Sequence, residues 1–377
     1  MVTQINLLRA RDRDRYSVDP DLLLDEVLAQ LRSRSGTGTI VLVIDEVQRV
    51  PPLLDAVQLL LDEHRGQVVC LLTGSSARKL RRGKVNLLPG RITRHLLFPL
   101  TTAECRSAGW SVDQACRFGR LPGIVTAATD DLRRRTLSAY VATYLQEEIR
   151  EEGLVRNYGA FRSFLQLAAE HSGGEVRYEK LSRSNNVTAN TIKSFYGILL
   201  DTLTAYEVAP INLLRSLRGT SPRRESKTSK VYLFDPGIIN AVLRRFRPTS
   251  IDQGRLVEHL VLVDLLDWLE RSARDGLVIG HWRQHQGHEV DFVLADEDGG
   301  LTGIEVKRTR QPGKGDLRGL RELHRIHGLN RAFVVCDVDR PLDLGRAWQA
   351  GAPGAAPPPR IVMATPFDGL VTALEQR

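Results

Sequence analysis

The chain lacks any apolar run of the ~18 residues that would mark a membrane-spanning helix. Its most continuous apolar stretch, Ile40 to Ile44, is only strand-sized. The opening residues, MVTQINLLRARDRDR, have neither the apolar core nor the cleavage site of a secretory signal. Cysteine is scarce: Cys70, Cys105, Cys116 and Cys336 show no C-x-x-C spacing, and Cys70 and Cys336 sit inside apolar, strand-like runs. These read as thiols of a reducing compartment, which excludes a disulfide framework or a cysteine zinc site and makes the expected location cytoplasmic. Lysine is scarce too, at eight of the 53 basic residues.

What is present is ordinary for a globular chain: 377 residues, 42% apolar and 26% charged, a length that implies two or three domains. The net charge is +8 and the pI about 9.5. That balance favours polyanionic partners without bearing on fold. Nucleic acid and protein are the candidate partners, and a membrane is not.

The first third alternates apolar runs with helical periodicity. INLL (Ile5 to Leu8), TIVLVIDE (Thr39 to Glu46), VVCLLTGSS (Val68 to Ser76) and RHLLFPL (Arg94 to Leu100) read as strands. Asp21 to Leu31 and Leu53 to His64 read as helices. Continuous apolar strands separated by helices predict a parallel sheet covered on both faces. From about Leu132 to Arg247 the pattern is helical, with runs at Thr136 to Glu152, Ala160 to Glu170 and Val187 to Leu203. A long amphipathic helix is expected over Gly254 to Arg271. Strands are expected at Val278 to Arg283, Glu289 to Ala295 and Gly303 to Lys307, then a helix at Gly315 to His327 and a strand at Arg331 to Cys336. GAPGAAPPP (Gly351 to Pro359) reads as a spacer before a last short segment.

A buried strand that ends in Asp45-Glu46 has the shape of a Walker B strand. It delivers two carboxylates to the crevice at the strand ends, where the first can hold magnesium and the second can orient the attacking water. The residues around it, VIDEVQRVPPLLDAVQLLLDE, LLTGSSARKL and LLPGRITRHLLFPLTTAE, resemble block by block a bacterial and archaeal family of AAA-type ATPases. The resemblance implies ATP and magnesium as cofactors, sensor roles for Thr73 to Ser75 and a phosphate-facing role for Arg91. One block is missing. The family's G-x-x-x-x-G-K-[ST] loop cradles phosphate with backbone N–H groups and a lysine. Here Gly-Lys occurs only at Gly83-Lys84 and Gly313-Lys314, and neither is followed by Ser or Thr. INLL resembles the family's second strand. The reading therefore favours an incorrectly assigned start or a truncated gene, and predicts that the chain as written binds ATP poorly. Without a neighbouring strand, Val68 to Leu72 would form an apolar sheet edge.

In the middle, LSRSNNVTANTIKSFYGILLDTLTAYEVAPI has a short helix, a turn and a second helix, which resembles the winged helix-turn-helix of the same family. If it reads DNA, Thr188, Asn190, Thr191, Lys193 and Ser194 face the groove and backbone. Leu214 to Arg247 holds nine basic residues, including Lys230, against two acidic ones, a candidate phosphate contact. KVYLFDPGIINAVL (Lys230 to Leu243) matches the family's K-x-Y-x-x-D-x-G-[IL] block.

The sharpest chemical signal lies near the end. Glu258 stands on a helix, Asp291 in HEVDFVLA, and Glu305 and Lys307 in IEVKR. An acid on one strand followed by Glu-x-Lys on the next is the PD-(D/E)XK arrangement. Period-two alternation puts Glu305 and Lys307 on one face. Asp291 and Glu305, with Glu258 as a further ligand, are the candidate holders of a magnesium ion that generates a nucleophile. Lys307 would position water or help deprotonate it. In a chain so poor in lysine, the motif position holds lysine, whose pKa can shift where arginine's cannot. The same family resemblance covers this part, whose C-terminal domain of unknown function has a restriction-endonuclease-like fold. His281, His285 and His288 flank it at a spacing that reads as incidental.

The fold class expected is therefore α/β, in three parts. Residues 1–130 form an incomplete P-loop-NTPase-like parallel sheet without the phosphate loop. Residues 131–250 form a helical region with a winged helix-turn-helix, and residues 251–377 a restriction-endonuclease-like α/β domain. The first functional expectation is an AAA-type, ATP-binding protein with a nuclease-like C-terminus. The alternatives are a magnesium-dependent DNA nuclease and a non-enzymatic DNA-binding or interaction protein.

Overall fold

The structure, a computed structural model, describes residues 2–33, 38–74, 92–144, 158–214, 225–272, 276–284, 287–350 and 357–376. The chain divides into two compact units, one of Met1–His95 with Ile198–Leu203, the other of Leu96–Gly197 with Thr204–Arg377.

In the first unit β1 (Val2–Asn6), β2 (Ile40–Asp45) and β3 (Val68–Leu72) form a parallel sheet in the order β1-β2-β3. Three helices, α1 (Ala10–Val18), α2 (Leu22–Ser33) and α3 (Leu53–Glu63), join its core. Burial along β2 alternates: Ile40, Leu42 and Ile44 are buried, whereas Val41 and Val43 are only partly so. The described helices thus share a core with one face. On the other face Val69 and Leu71 of β3 stay 47% and 53% exposed. The expectation of a sheet covered on both faces is corrected for the described residues. Among them β3 is an edge strand with an apolar outer face.

Arg94 to Leu100, expected as a strand, pairs with no strand. Its backbone groups find other partners: Leu96 N donates to the Glu270 carboxylate at 3.0 Å, and Leu100 N to the Arg120 carbonyl at 3.1 Å. The segment that follows forms a capping box. The Thr101 hydroxyl accepts from Glu104 N, and Glu104 accepts from Thr101 N, at the start of α4 (Thr102–Ser107).

The second unit continues with α5 (Val112–Phe118), α6 (Asp130–Ala139) and one π-helical turn at Tyr140–Tyr144, then α7 (Tyr158–Glu170). A second helix pair, α8 (Tyr178–Asn185) and α9 (Ala189–Asp201), is joined by a tight turn with Asn186 in the left-handed region. The Thr188 hydroxyl accepts from Thr191 N, a capping contact at the start of α9. The last residues of α9 belong to the first unit. A small antiparallel sheet, β4 (Gly174–Glu175), β5 (Ala205–Val208) and β6 (Lys230–Leu233), runs in the order β4-β6-β5. After it come α10 (Pro236–Leu243) and the 23-residue α11 (Ser250–Ser272).

A mixed six-stranded sheet completes the unit: β7 (Val278–Arg283), β8 (Glu289–Ala295), β9 (Leu301–Val306), β10 (Arg331–Cys336), β11 (Leu342–Asp343) and β12 (Ile361–Pro366), ordered β11-β12-β10-β9-β8-β7. The last short segment therefore contains a strand, parallel to β10, that its β-branched IVMAT run could have announced. α12 (Arg318–His327) packs on β8 and β9 and α11 on β9. The β7 edge is not bare. His281 N donates to the Ala209 carbonyl and Ser226 N to the Arg283 carbonyl, so the chain on either side of residues 215–224 closes it.

The amphipathic character expected of α11 is corrected. Leu256, Val257, Leu260, Val261, Leu262 and Trp268 are all at most 4% exposed. A stretch enclosed on every side makes the middle of α11 an interior helix, while Arg255 and Arg271 stand exposed towards its ends. Its buried polar residues, His259 and Asp264, and the half-buried Glu258 each address a different neighbour: Ser172, Arg120 and Tyr232.

Candidate divalent-cation and nucleotide-type sites

The antiparallel register that pairs Phe292 with Ile304 and Val293 with Gly303 sets Asp291 opposite Glu305. Both are almost wholly buried, at 2% and 6% exposure. Asp291 is oriented by the backbone: its Oδ2 accepts from Val306 N at 2.8 Å. Lys307, with its side chain 39% exposed, donates from Nζ to Glu305 Oε1 at 2.5 Å. Strand periodicity thus brings Glu305 and Lys307 onto one face. The other carboxylate oxygen, Glu305 Oε2, is buried with no hydrogen-bond partner. A buried acceptor left empty costs about 1–3 kcal/mol, and more for an ionised one. It suits an electropositive ligand.

Electrostatics agree with an acid cluster short of counter-charge. Burial pushes the Glu305 carboxyl well above its usual range, and the neighbouring Asp291 adds to this against the pull of Lys307. Glu258 is pushed up to about 8 by burial and then by Asp291, with Lys230 pulling the other way. Burial alone would lower Lys307, but Glu305 and Asp291 outweigh it and hold the ammonium charged.

Among the described residues, no group of three or more His, Cys, Asp or Glu is arranged to hold a metal ion. The expected three-acid set is therefore not preassembled. Glu258 accepts a long hydrogen bond from the Tyr232 hydroxyl, 3.4 Å, yet stays near enough to Asp291 to feel its charge, while Asp291 and Glu305 share the strand pair.

Lys230 comes from β6, outside the motif. Its Nζ lies 4.0 Å from Asp291 Oδ1, and its side chain is 6% exposed. That corrects its place in the basic cluster: a buried lysine makes no surface phosphate contact. Of the same cluster Lys227, Arg244, Arg245 and Arg247 are exposed, while Arg215, Arg218, Arg223 and Arg224 lie outside the described residues. Burial would push Lys230 down, yet the Tyr232 hydroxyl and the acids Glu258, Asp291 and Glu289 outweigh it and keep it charged.

The rest of the K-x-Y-x-x-D-x-G block is structural. Tyr232 is fully enclosed and edge-on to His259, 4.9 Å between centroids. Asp235 caps α10 through Gly237 N at 2.7 Å and also accepts from Arg120 N at 2.7 Å. Gly237 leaves no room for a Cβ, which would lie 2.0 Å from the Phe118 carbonyl oxygen. A second buried network escaped sequence reasoning. Arg120 Nη1 donates to Asp264 Oδ1 at 2.7 Å and to the Thr102 hydroxyl at 2.8 Å, Nη2 donates to the Leu260 carbonyl, and Thr102 N donates to Asp264. A lone aspartate in the apolar run LVLVDLL was the available signal.

His281, at the β7 edge, is fully buried, and its Nε2 lies 3.0 Å from the Thr228 carbonyl. Burial, followed by the positive charge of Lys230, pushes it down to about 4. His285 lies outside the described residues. Because His281 is neutral when folded and titrates near 6.5 when unfolded, the unfolded state binds more protons between those values, and stability falls as pH drops through that window. His281→Gln is expected to flatten this part of the pH profile. Urea melts at pH 7 and pH 5 should differ by about 1–2 kcal/mol less than in wild type.

In the first unit the two acids stand at the C-terminal end of β2. Glu46 adopts a left-handed backbone, φ 59°, uncommon outside glycine and a mark of a sharply re-aimed strand end. The Thr73 hydroxyl, at the end of neighbouring β3, donates to Asp45 Oδ1, and Gln48 donates to the Glu46 carboxylate. Val47 N donates to the Thr73 carbonyl at 3.0 Å, locking the two strand ends together. The structure thus joins Asp45 with Thr73, a carboxylate and a hydroxyl at the tips of adjacent parallel strands. Ser75 and Arg91 lie outside the described residues.

Residues 2–106 match the AAA domain, residues 109–249 a domain of unknown function (DUF8612), and residues 253–352 a second domain of unknown function (DUF4143). Two uncharacterized mycobacterial proteins, from Mycobacterium tuberculosis and Mycobacterium bovis, are each 25% identical over 299 residues. The alignment covers 78% of this chain and 64% of each relative, so the chain spans less than two thirds of the curated relatives it matches. Among the described residues no helix is long and apolar enough to cross a membrane.

Proposed function

We propose that this AAA-domain chain acts on nucleic acid, and that Asp291, Glu305 and Lys307 form a restriction-endonuclease-like site for phosphodiester hydrolysis around one divalent cation. The observation that carries the reading is the orphaned Glu305 Oε2, buried opposite Asp291 and beside the Lys307 ammonium. A bound magnesium or manganese ion would supply an activated water and offset charge on the phosphate. The chain's own residues do the rest. Val306 N fixes the Asp291 carboxylate, so one strand pair presents two acids at a set spacing. Lys307, at the rim, holds its proton on Nζ, where it can donate to a phosphate oxygen or orient water.

Recognition falls to α8 and α9, a winged helix-turn-helix in this reading. Arg177, Lys180 and Arg183 are exposed on or beside α8, and Asn190, Lys193 and Ser194 on α9, with Glu179 the acidic exception. A basic face with short polar side chains suits phosphate contact and groove insertion. In the first unit Asp45 would hold magnesium and Glu46 would orient water, with Thr73 sensing the nucleotide, ATP being the ligand that an AAA domain implies.

Isothermal titration with manganese tests the cation site. Wild type is expected to bind at the Asp291–Glu305 pair, and Glu305→Gln to remove that binding event while leaving circular dichroism unchanged. Identical isotherms for the two proteins would overturn the assignment.

A further inference from the structure

The acid cluster raises a question of charge that its motif does not answer. Three carboxyl groups, Glu258, Asp291 and Glu305, gather in and around the β8–β9 pair, and only Lys307 at the rim belongs to the sequence pattern. The second cation, Lys230, arrives from β6 of the small sheet, where it pairs with Glu175 and Val208. Packing does not call for an ammonium there: its strand neighbours are the buried Val231, Tyr232 and Leu233. A charge this deeply enclosed is costly unless paired, and the carboxylate within ion-pair reach is that of Asp291, whose Oδ1 Val306 N leaves open.

We infer that Lys230 is a resident counter-ion of this site, a positioning residue that holds Asp291 in the cluster without a divalent cation and thereby weakens cation binding. The second half of this inference rests on the proposed cation site, and the first half does not. An ammonium close to a dication repels it, and the more strongly where burial keeps the effective dielectric well below that of water. It follows that Lys230 and the ion compete for the same negative charge. Because Lys230 also belongs to the small sheet whose strands flank the helix pair α8–α9 in sequence, that sheet and the acid site share an ionic link.

The test has two arms. In EDTA, Lys230→Met is expected to lower the melting temperature by on the order of 10 °C, through an uncompensated buried acid. Adding Asp291→Asn to it should restore most of the loss, because the acid is then neutral. A double variant as unstable as Lys230→Met alone overturns the counter-ion. If Lys230→Met does not fold in EDTA, recovery of a folded protein in the double variant is the same result. In the second arm manganese is titrated calorimetrically, and Lys230→Met should bind at least about tenfold tighter than wild type, with Lys230→Arg near wild type. Unchanged or weaker binding overturns the competition. Absence of manganese binding in every variant would refute the cation site while leaving the EDTA arm to decide Lys230.

Discussion

Asp291→Asn and Lys307→Ala are each expected to slow magnesium-dependent nicking of supercoiled DNA by about 100-fold or more. The two losses have different origins. Asp291 is fixed by Val306 N, and amide replacement removes the charge while keeping size and the backbone contact. Lys307 touches Glu305 but is partly exposed, so truncation removes the ammonium that the proposed site would turn to phosphate without opening the core. Lys307→Arg should recover activity only in part, because a planar guanidinium keeps charge but not a compact point donor. Nicking at wild-type rates in both Asp291→Asn and Lys307→Ala would contradict the proposed site.

The largest stability effect should come from Arg120 and Asp264, far from any strand motif. Arg120 is 1% exposed and donates to Asp264, Thr102 and the Leu260 carbonyl. Breaking a buried pair by removing one partner leaves a stranded charge and costs about 3–5 kcal/mol. Arg120→Met is therefore expected to lower the urea midpoint of the second unit markedly. Arg120→Met with Asp264→Leu should recover much of that loss, since an apolar pair of similar size needs no solvation. The network also has an organising role. Thr102 falls in the stretch matching the AAA domain, whereas Arg120 and Asp264 fall in the two matched domains of unknown function. The buried Arg120–Asp264 ion pair and its hydrogen bonds to Thr102 thus join three sequence segments inside a single compact unit.

Local pattern carried a good part of this fold. The strands Val278–Arg283, Glu289–Ala295 and Arg331–Cys336 have the bounds that their apolar runs and flanking turn residues suggest. Asp45 at the tip of β2 was legible for the same reason: a buried strand ending in carboxylates needs no tertiary information. Arg94 to Leu100 misled because an apolar run is also what an extended segment needs when its backbone bonds go to a side chain, here Glu270, and a loop carbonyl.

What sequence could not supply was pairing at a distance. Lys230 reads as one more member of a basic stretch until β6 places it against Asp291. Glu258 reads as a third cation ligand, and its hydrogen bond from Tyr232 appears only in the fold. Gly254 to Arg271 reads as amphipathic because its polar residues recur along it. Its fully buried His259 and Asp264 instead meet Ser172 and Arg120. No periodicity encodes a partner that many residues away.

Anomalous diffraction from crystals grown with manganese would probe the central claim most directly. The account predicts one peak within ligand distance of both Asp291 and Glu305 on the β8–β9 pair, lost in Glu305→Gln. Diffraction that places no ion there at saturating manganese, with both carboxylates engaged by protein groups alone, would contradict it.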